Sequence, residues 1–434
     1  MNQETTPEPL GALDRLRGWG QRLAAAVRSG LAPARAQGAA TGLAGELEQL
    51  LAESRATRGG ERSARERAQR IAALYRSAGA EERAAILGHI GRAFMPEREA
   101  VDAAVAAMRE AADDVTRGHA EAQLRIALDA PRAKFFAQFN LLPEGVKFLV
   151  DLRADLLAFL EHEPALDVLR VELDGLLESW FDPGFLELQR ITWQSPALVL
   201  EKLIAYEAVH RIGSWEDLKN RLDRDRRCYA FFHPRMPNEP LIFVEIALAK
   251  GLPESVQVLL DEQAPIGEVR KADTAVFYSI SNAQKGLRGI SLGNLLLKRV
   301  IAALQRDLPW LTTFCTLSPI PGFRRWLERA APALARDGAP EEALREPLLE
   351  ACARYLVQEK SGALPADPVA QFHLNNGASV DRIFWRADAS ERGLAQSCGM
   401  MVSYRYDLDA VDRNHEEFLS SGRVAASKRV LRLL

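Results

Sequence analysis

A glycine-rich turn at residues 282–289 is where residue types and spacing first point to chemistry in this 434-residue chain. It follows a strand-like run at 275–281 (AVFYSIS) and holds Gly286 and Gly289, with Gly293 one helical turn on. Leu292, Leu295, Leu296, Val300 and Leu304 then recur at helical spacing, so a helix is expected over 290–304. A second strand is expected over 310–317, ended by Ser318-Pro319-Ile320-Pro321-Gly322. Amides at a helix start lack intrahelical partners, and the dipole there favours an anion. Glycine lets the backbone approach phosphate oxygens, and Arg288 adds a charge. The unit suits a pyrophosphate, although a glycine turn before a helix is more often only a turn. Gly286-Leu287-Arg288-Gly289 fits neither the dinucleotide fingerprint GxGxxG nor the P-loop.

The elements that must carry this unit differ along the chain. Residues 1–40 are rich in Pro, Gly, Ala and Arg and read as a flexible tail. Residues 41–182 read as an antiparallel helical bundle. Leu166, Leu169, Leu173, Leu176, Leu177 and Trp180 share one helical face, as do Leu149, Leu152, Leu156 and Leu160. His89, His119 and His162 lie apart without ligand spacing. Several apolar faces on one bundle suit assembly with further copies. Asp182-Pro183-Gly184 marks the boundary to a second domain over 183–434. There, helices are expected over 193–207 and 214–222, and strands over 228–232, 241–249, 256–260 and 274–280. The fold class is therefore multidomain, α followed by mixed α/β.

Composition narrows the function classes. With 47% hydrophobic and 26% charged residues the chain can bury a sizeable core. A net charge of −3 gives no global attraction to nucleic acid or anionic membrane. Cys228, Cys315, Cys352 and Cys398 form no CxxC pair, which argues against a zinc, redox or disulfide framework and for reduced thiols in a cytoplasmic protein. No run reaches the ~20 apolar residues of a membrane span. The N-terminus lacks a secretory pattern, Glu4, Glu8 and Asp14 argue against a mitochondrial transit peptide, and Arg432-Leu433-Leu434 is not the peroxisomal address.

The turn is similar to the pyrophosphate loop of GNAT acetyltransferases, QxxGxG/A: Gln284 is present and the glycines are displaced by one position. In that fold the preceding strand offers a free edge to pantetheine, a part that residues 278–281 would take. Four peptides taken together, FYSISNAQKGLRGISLGNLLLKRV, FCTLSPIPGF, FHLNNGA and SCGMMVSYRYDL, closely resemble the malonyl-CoA decarboxylase family over nearly the whole chain. The resemblance implies a helical oligomerisation domain, a dimer or tetramer, and a GNAT-like catalytic domain. It implies conversion of malonyl-CoA to acetyl-CoA and carbon dioxide without cofactor or metal. It assigns the catalytic serine to Ser318, the catalytic histidine to His373, and the CoA loop to Arg288, Gly289, Ile290, Ser291, Leu292, Gly293 and Asn294. Ser291 stands where some members carry a glutamate, which puts a strict Ser-His-Glu triad in doubt.

These residue types suit the reaction. Loss of carbon dioxide leaves a thioester enolate, so the protein must stabilise an oxyanion and deliver a proton to carbon. An imidazole titrates near working pH and can donate that proton. Ser318, at the end of a strand, can hydrogen-bond the carboxylate or the thioester oxygen. Asn376 is a candidate ligand contact. Tyr404 and Tyr406 alternate on one strand face, and one of them is a candidate to orient His373. His415, before Glu416 and Glu417, reads as a solvated helix start. Two other readings compete: an acyltransferase of GNAT type, and a CoA-ester sensor without turnover.

Overall fold

In the computed structural model, residues 40–56, 60–128, 131–290, 293–335 and 342–434 are described. The expected tail lies largely outside them. Chain packing divides the molecule into two compact units: Met1–Trp180 together with Lys285–Ile290, and Phe181–Gln284 together with Ser291–Leu434.

The first unit is helical: α1 (Ala40–Arg55), α2 (Glu61–Ser77), α3 (Ala80–Ala93), α4 (Arg98–Glu110), α5 (Asp114–Leu128), α6 (Pro131–Ala137), α7 (Gly145–Phe159) and α8 (Asp167–Trp180). The leucine faces read from the sequence are the faces that pack. Leu149, Leu152 and Leu156 of α7 and Leu169, Leu173 and Leu177 of α8 are almost fully buried. A run of rings fills the space beside them, with Phe94 stacked on Phe135 at 4.5 Å and Phe139 on Phe148 at 5.0 Å. Burying one such side chain contributes about 1.5–3 kcal/mol. Residues 285–290 join this unit through Arg153 of α7. Its guanidinium donates to the carbonyls of Gly286 and Arg288, the latter at 3.0 Å, and pairs with Asp174 at 2.6 Å. Gly286 allows the close approach, because a Cβ there would lie 1.7 Å from the Val150 carbonyl oxygen.

The second unit is built on one mixed sheet. Its strands are β1 (Glu187–Ile191), β2 (Arg226–Phe232), β3 (Ile242–Ala249), β4 (Thr274–Asn282), β5 (Thr313–Thr316), β6 (Ser318–Pro319), β9 (Ser379–Phe384) and β10 (Met401–Arg405), with β7 (Lys360–Ser361) and β8 (Leu364–Pro365) as a separate ribbon. The order is β1-β2-β3-β4-β5-β10-β6, with β9 also on β10. β1 to β4 form an antiparallel meander, and β4 runs parallel to β5. The helices of this unit are α9 (Ala197–Tyr206), α10 (Trp215–Arg221), α11 (Gln257–Leu260), α12 (Gly293–Asp307), α13 (Phe323–Ala330), α14 (Arg345–Val357), α15 (Pro368–Asn375), α16 (Glu391–Ser397), α17 (Val411–Ser421) and α18 (Lys428–Leu431). The chain thus has the expected multidomain organisation, a helical region followed by a mixed α/β unit.

Several local expectations are corrected. Residues 256–260 are not a strand: Val256 and Leu259 point inward at a spacing of three while Val258 is exposed, so they form the helical turn α11. A short apolar run cannot settle that choice by itself. The helix expected from residue 193 starts at Ala197, and β1 precedes it. The helix expected over 290–304 is described over Gly293–Asp307, with Ser291 and Leu292 outside the described residues. The strand expected over 310–317 is confined to Thr313–Thr316.

Replacing Arg153 by Met leaves two carbonyls without their donor and Asp174 with Arg170 as its remaining partner. Removing one partner of a buried ion pair is costly, and we expect a loss of about 3 kcal/mol in unfolding free energy, read as a lower urea midpoint at unchanged slope.

Candidate active site

The site forms where β4 loses its parallel neighbour. β4 and β5 pair over Thr274–Phe277, and the Leu317 amide makes one more bond to the Phe277 carbonyl at 3.0 Å. Beyond that point β6, like β5, pairs with β10 on its other side, and residues 278–282 of β4 have no strand partner on the β5 side among the described residues. The register with β3 also slips here, leaving Tyr278 unpaired between Phe277 and Ser279. The result is an open edge and a cleft.

Alternation along β5 and β6 sends Leu317 into the core and puts Thr316 and Ser318 on one face. Ser318 Oγ donates to Thr316 Oγ1 at 2.8 Å, and Thr316 Oγ1 also accepts from the Tyr404 amide at 3.0 Å. After the two prolines, Gly322 precedes α13. A side chain there is excluded, because a Cβ would lie 2.2 Å from the Tyr355 hydroxyl.

Helix α15 delivers His373. Asp367 caps it, accepting from the amides of Val369 at 3.0 Å and Ala370 at 2.9 Å, and Pro368 takes the first helical position. His373 Nε2 lies 3.3 Å from Ser318 Oγ, and Nδ1 lies 2.8 Å from the Tyr406 hydroxyl. Tyr404 stacks on the imidazole with centroids 4.5 Å apart and planes at 22°. The network assigns one consistent set of protons. The Ser318 hydroxyl is used toward Thr316, so Ser318 Oγ accepts from Nε2–H, and Tyr406 donates to Nδ1. Burial holds the His373 pKa down to about 3, so the ring is neutral in the free protein. Burial likewise pushes the Tyr404 and Tyr406 hydroxyls well above the ordinary tyrosine range.

Ser318 and His373 line a cavity of about 240 Å³ together with the β4 edge, Phe372, Val369 and Val209. The described residues that line it include no Asp, Glu, Lys or Arg. Among the described residues no cluster could hold a metal ion.

The other candidates are placed as follows. Asn376 is buried and its amide donates to the Phe372 carbonyl at 2.7 Å, but it does not line the cavity. Gly377 adopts φ +80°, and a Cβ would meet the Val411 carbonyl at 2.0 Å, which accounts for the glycine after Asn375-Asn376. His415 is not solvated: it is half-buried within α17, and Nδ1 donates to the Asn375 carbonyl at 2.5 Å. Arg288 is exposed, Gly289 has φ +88°, and Ile290 is half-buried. Ser291 and Leu292 lie outside the described residues, and the side chain of Asn294 does too; Gly293 opens α12. Thr316 and Asp367 escaped sequence reasoning. Thr316-x-Ser318 on a strand and Asp367-Pro368 before a helix were the available signals. Glu207 also escaped it: its carboxylate accepts from Ser279 and Ser281 of β4 at 2.7 and 3.0 Å and from the amides of Val209 and His210.

Comparison with known proteins gives concordant matches. The malonyl-CoA decarboxylase N-terminal domain matches residues 94–181, and the malonyl-CoA decarboxylase C-terminal domain matches residues 184–338 and 329–434. The mitochondrial malonyl-CoA decarboxylase of Anser anser anser is 39% identical over 357 residues, 72% of this chain and 71% of the relative. That of Mus musculus is 37% identical over 404 residues, 82% of each. The crystal structure of malonyl-CoA decarboxylase from Rhodopseudomonas palustris superposes with a TM-score of 0.82 at 39% identity, covering 91% of this chain and 100% of that one. The one from Cupriavidus metallidurans gives 0.69 at 41% identity, covering 90% and 99%.

The buried neutral imidazole has a stability signature. The unfolded chain binds a proton near pH 6.5 and the folded one only near pH 3. Stability from this group is full above pH 6.5 and is lost as pH falls from there toward 3. The drop in melting temperature between pH 7.5 and pH 5 is expected to be smaller in His373→Gln than in wild type.

Proposed function

The chain belongs to the malonyl-CoA decarboxylase family and converts malonyl-CoA to acetyl-CoA and carbon dioxide; from that premise we propose that Ser318 and His373 carry the reaction, with Tyr406 holding the imidazole. The observation behind this is the hydrogen-bonded line Tyr406–His373–Ser318 at the wall of a cavity whose described lining carries no Asp, Glu, Lys or Arg.

The thioester carbonyl accepts the electron pair released when carbon dioxide leaves C2. The Ser318 hydroxyl, turned from Thr316, and the Nε2–H of His373, turned from Ser318 Oγ, stabilise the oxyanion that forms. An uncharged cavity removes water from the carboxylate without supplying a cation, so the charge is better accommodated once it spreads over the enolate. The reaction consumes one proton. The substrate's own negative charge opposes the burial that keeps His373 neutral, so the proton is taken up with substrate and passes from Nε2 to C2. Tyr406 fixes the ring by its bond to Nδ1, and Tyr404 covers its face.

The free edge at residues 278–281 fits the pantetheine arm, and the segment 288–294 fits the CoA phosphates. The same reading makes 41–182 the part that assembles copies and 183–434 the catalytic part. Val115, Ile126 and Leu128 of α5, all more than half exposed, support assembly through the helical unit. Four free and buried cysteines suit a reducing cytoplasm. No helix among the described residues is long and apolar enough to cross a membrane.

Malonyl-CoA supplied alone should yield carbon dioxide, which a transferase awaiting an acceptor or a sensor would not produce. Ser318→Ala is expected to lower kcat roughly 10²–10³-fold, and His373→Gln at least as much; full activity in both sinks the assignment. Tyr406→Phe removes one hydrogen bond, and we expect a loss of about ten-fold in kcat with KM nearly unchanged.

A further inference from the structure

A second cavity of about 530 Å³ lies in the same unit, on the other side of the N-terminal turn of α15. Arg325 and Arg329 of α13, Lys360 of β7, Trp326 and Tyr355 line it, and Pro368 lines both this cavity and the one holding Ser318. Glu359 is the only carboxylate among its described lining residues, and Asp367 is buried close to Gly322 and Tyr355.

The charge pattern of α13 separates this cavity from an ordinary solvated face. Its sequence FRRWLERA holds two positions with a partner four residues on. Arg324 pairs with Glu328 at 3.3 Å. Arg325 is followed instead by Arg329, and neither has a carboxylate partner among the described residues. Like charges at that spacing destabilise a helix. A concave site with aromatic walls focuses the field of such charges, and guanidinium groups match phosphate oxygens two at a time. The volume is within the usual range for small-molecule sites, roughly 300–1,000 Å³.

We propose that this cavity binds a phosphate-bearing anion, held by Arg325, Arg329 and Lys360, separately from the CoA substrate. The occupant would touch the turn that Asp367 caps and that leads to His373, so binding alters turnover. The inference does not depend on the roles given to Ser318 and His373.

The test is titration calorimetry of the full chain with two probes, inorganic pyrophosphate and a nucleoside diphosphate, each in the presence and absence of saturating acetyl-CoA. One saturable site that acetyl-CoA does not displace is expected, with affinity at least ten-fold weaker in an Arg325→Ala/Arg329→Ala variant. Equal binding of both probes locates recognition in the phosphates alone; tighter nucleotide binding adds a contact to the base or sugar. The variant should keep its decarboxylation rate without probe, while the probe should change kcat in wild type only. Lys360→Ala, on a separate element, gives an independent reading and should weaken both probes. Absence of saturable binding, displacement by acetyl-CoA, or affinity unchanged in both variants overturns the proposal.

Discussion

The parting of β4 from its parallel neighbour after Phe277 is the constraint on which the rest of the second unit depends. A parallel ladder continued to Asn282 would satisfy more backbone groups, yet it would leave nowhere for a ligand. Instead the neighbouring chain diverges from β4 at Leu317 while keeping β10 on its other side, at Cys315 in β5 and at Ser318 and Pro319 in β6. That parting exposes the β4 edge and leaves Thr316 and Ser318 beside the two tyrosines that meet His373. Leu317 anchors the turning point by its amide bond to Phe277 and its buried side chain.

Electrostatics follow from that geometry. Helix α15 lowers His373 into a space closed by two tyrosines, so the ring is desolvated and neutral, with both nitrogens bonded to neutral hydroxyls. Charge is found one shell further out, where Glu207 ties Ser279 and Ser281 to the segment bearing Val209, and Glu245 is paired with Arg221 at 2.9 Å. Burial and then Glu207 push the Glu245 carboxyl up, and the Arg221 guanidinium opposes them. Ionisable groups thus brace β4 and its neighbour β3, while the described cavity lining holds no Asp, Glu, Lys or Arg. Decarboxylation benefits from that separation, because a cation beside the carboxylate would stabilise the substrate more than the enolate.

Much of this was legible in the sequence, and the reasons are local. Helical faces in α7 and α8 were readable because leucines recur at the helix period and all point to one core. The pairing of Ser318 with His373 was not readable from spacing: 55 residues and several elements separate them, and only family resemblance joined them. Tyr404 and Tyr406 were placed on one face by strand alternation, which could not say which one would bond the imidazole and which would stack on it. β1 was hidden because Glu187, Gln189 and Arg190 give a polar edge strand, and residues 256–260 were misread because β-branched residues also suit a helical turn. The glycines of the motifs had physical reasons that only coordinates reveal: Gly322 makes room for a tyrosine hydroxyl, and Gly377 for a carbonyl.

Residues 285–290 belong to the helical unit although they lie more than a hundred positions beyond Trp180 in the chain. Neither unit is therefore one uninterrupted piece of sequence. During synthesis Arg153 emerges long before the carbonyls of Gly286 and Arg288 that it binds, so the first unit reaches its final set of bonds only after β1 to β4 have left the ribosome. The two halves are not modules that evolution could exchange at one junction, since a cut at residue 180 strands the loop from its anchor. A crossing of this kind favours inheritance of both halves together.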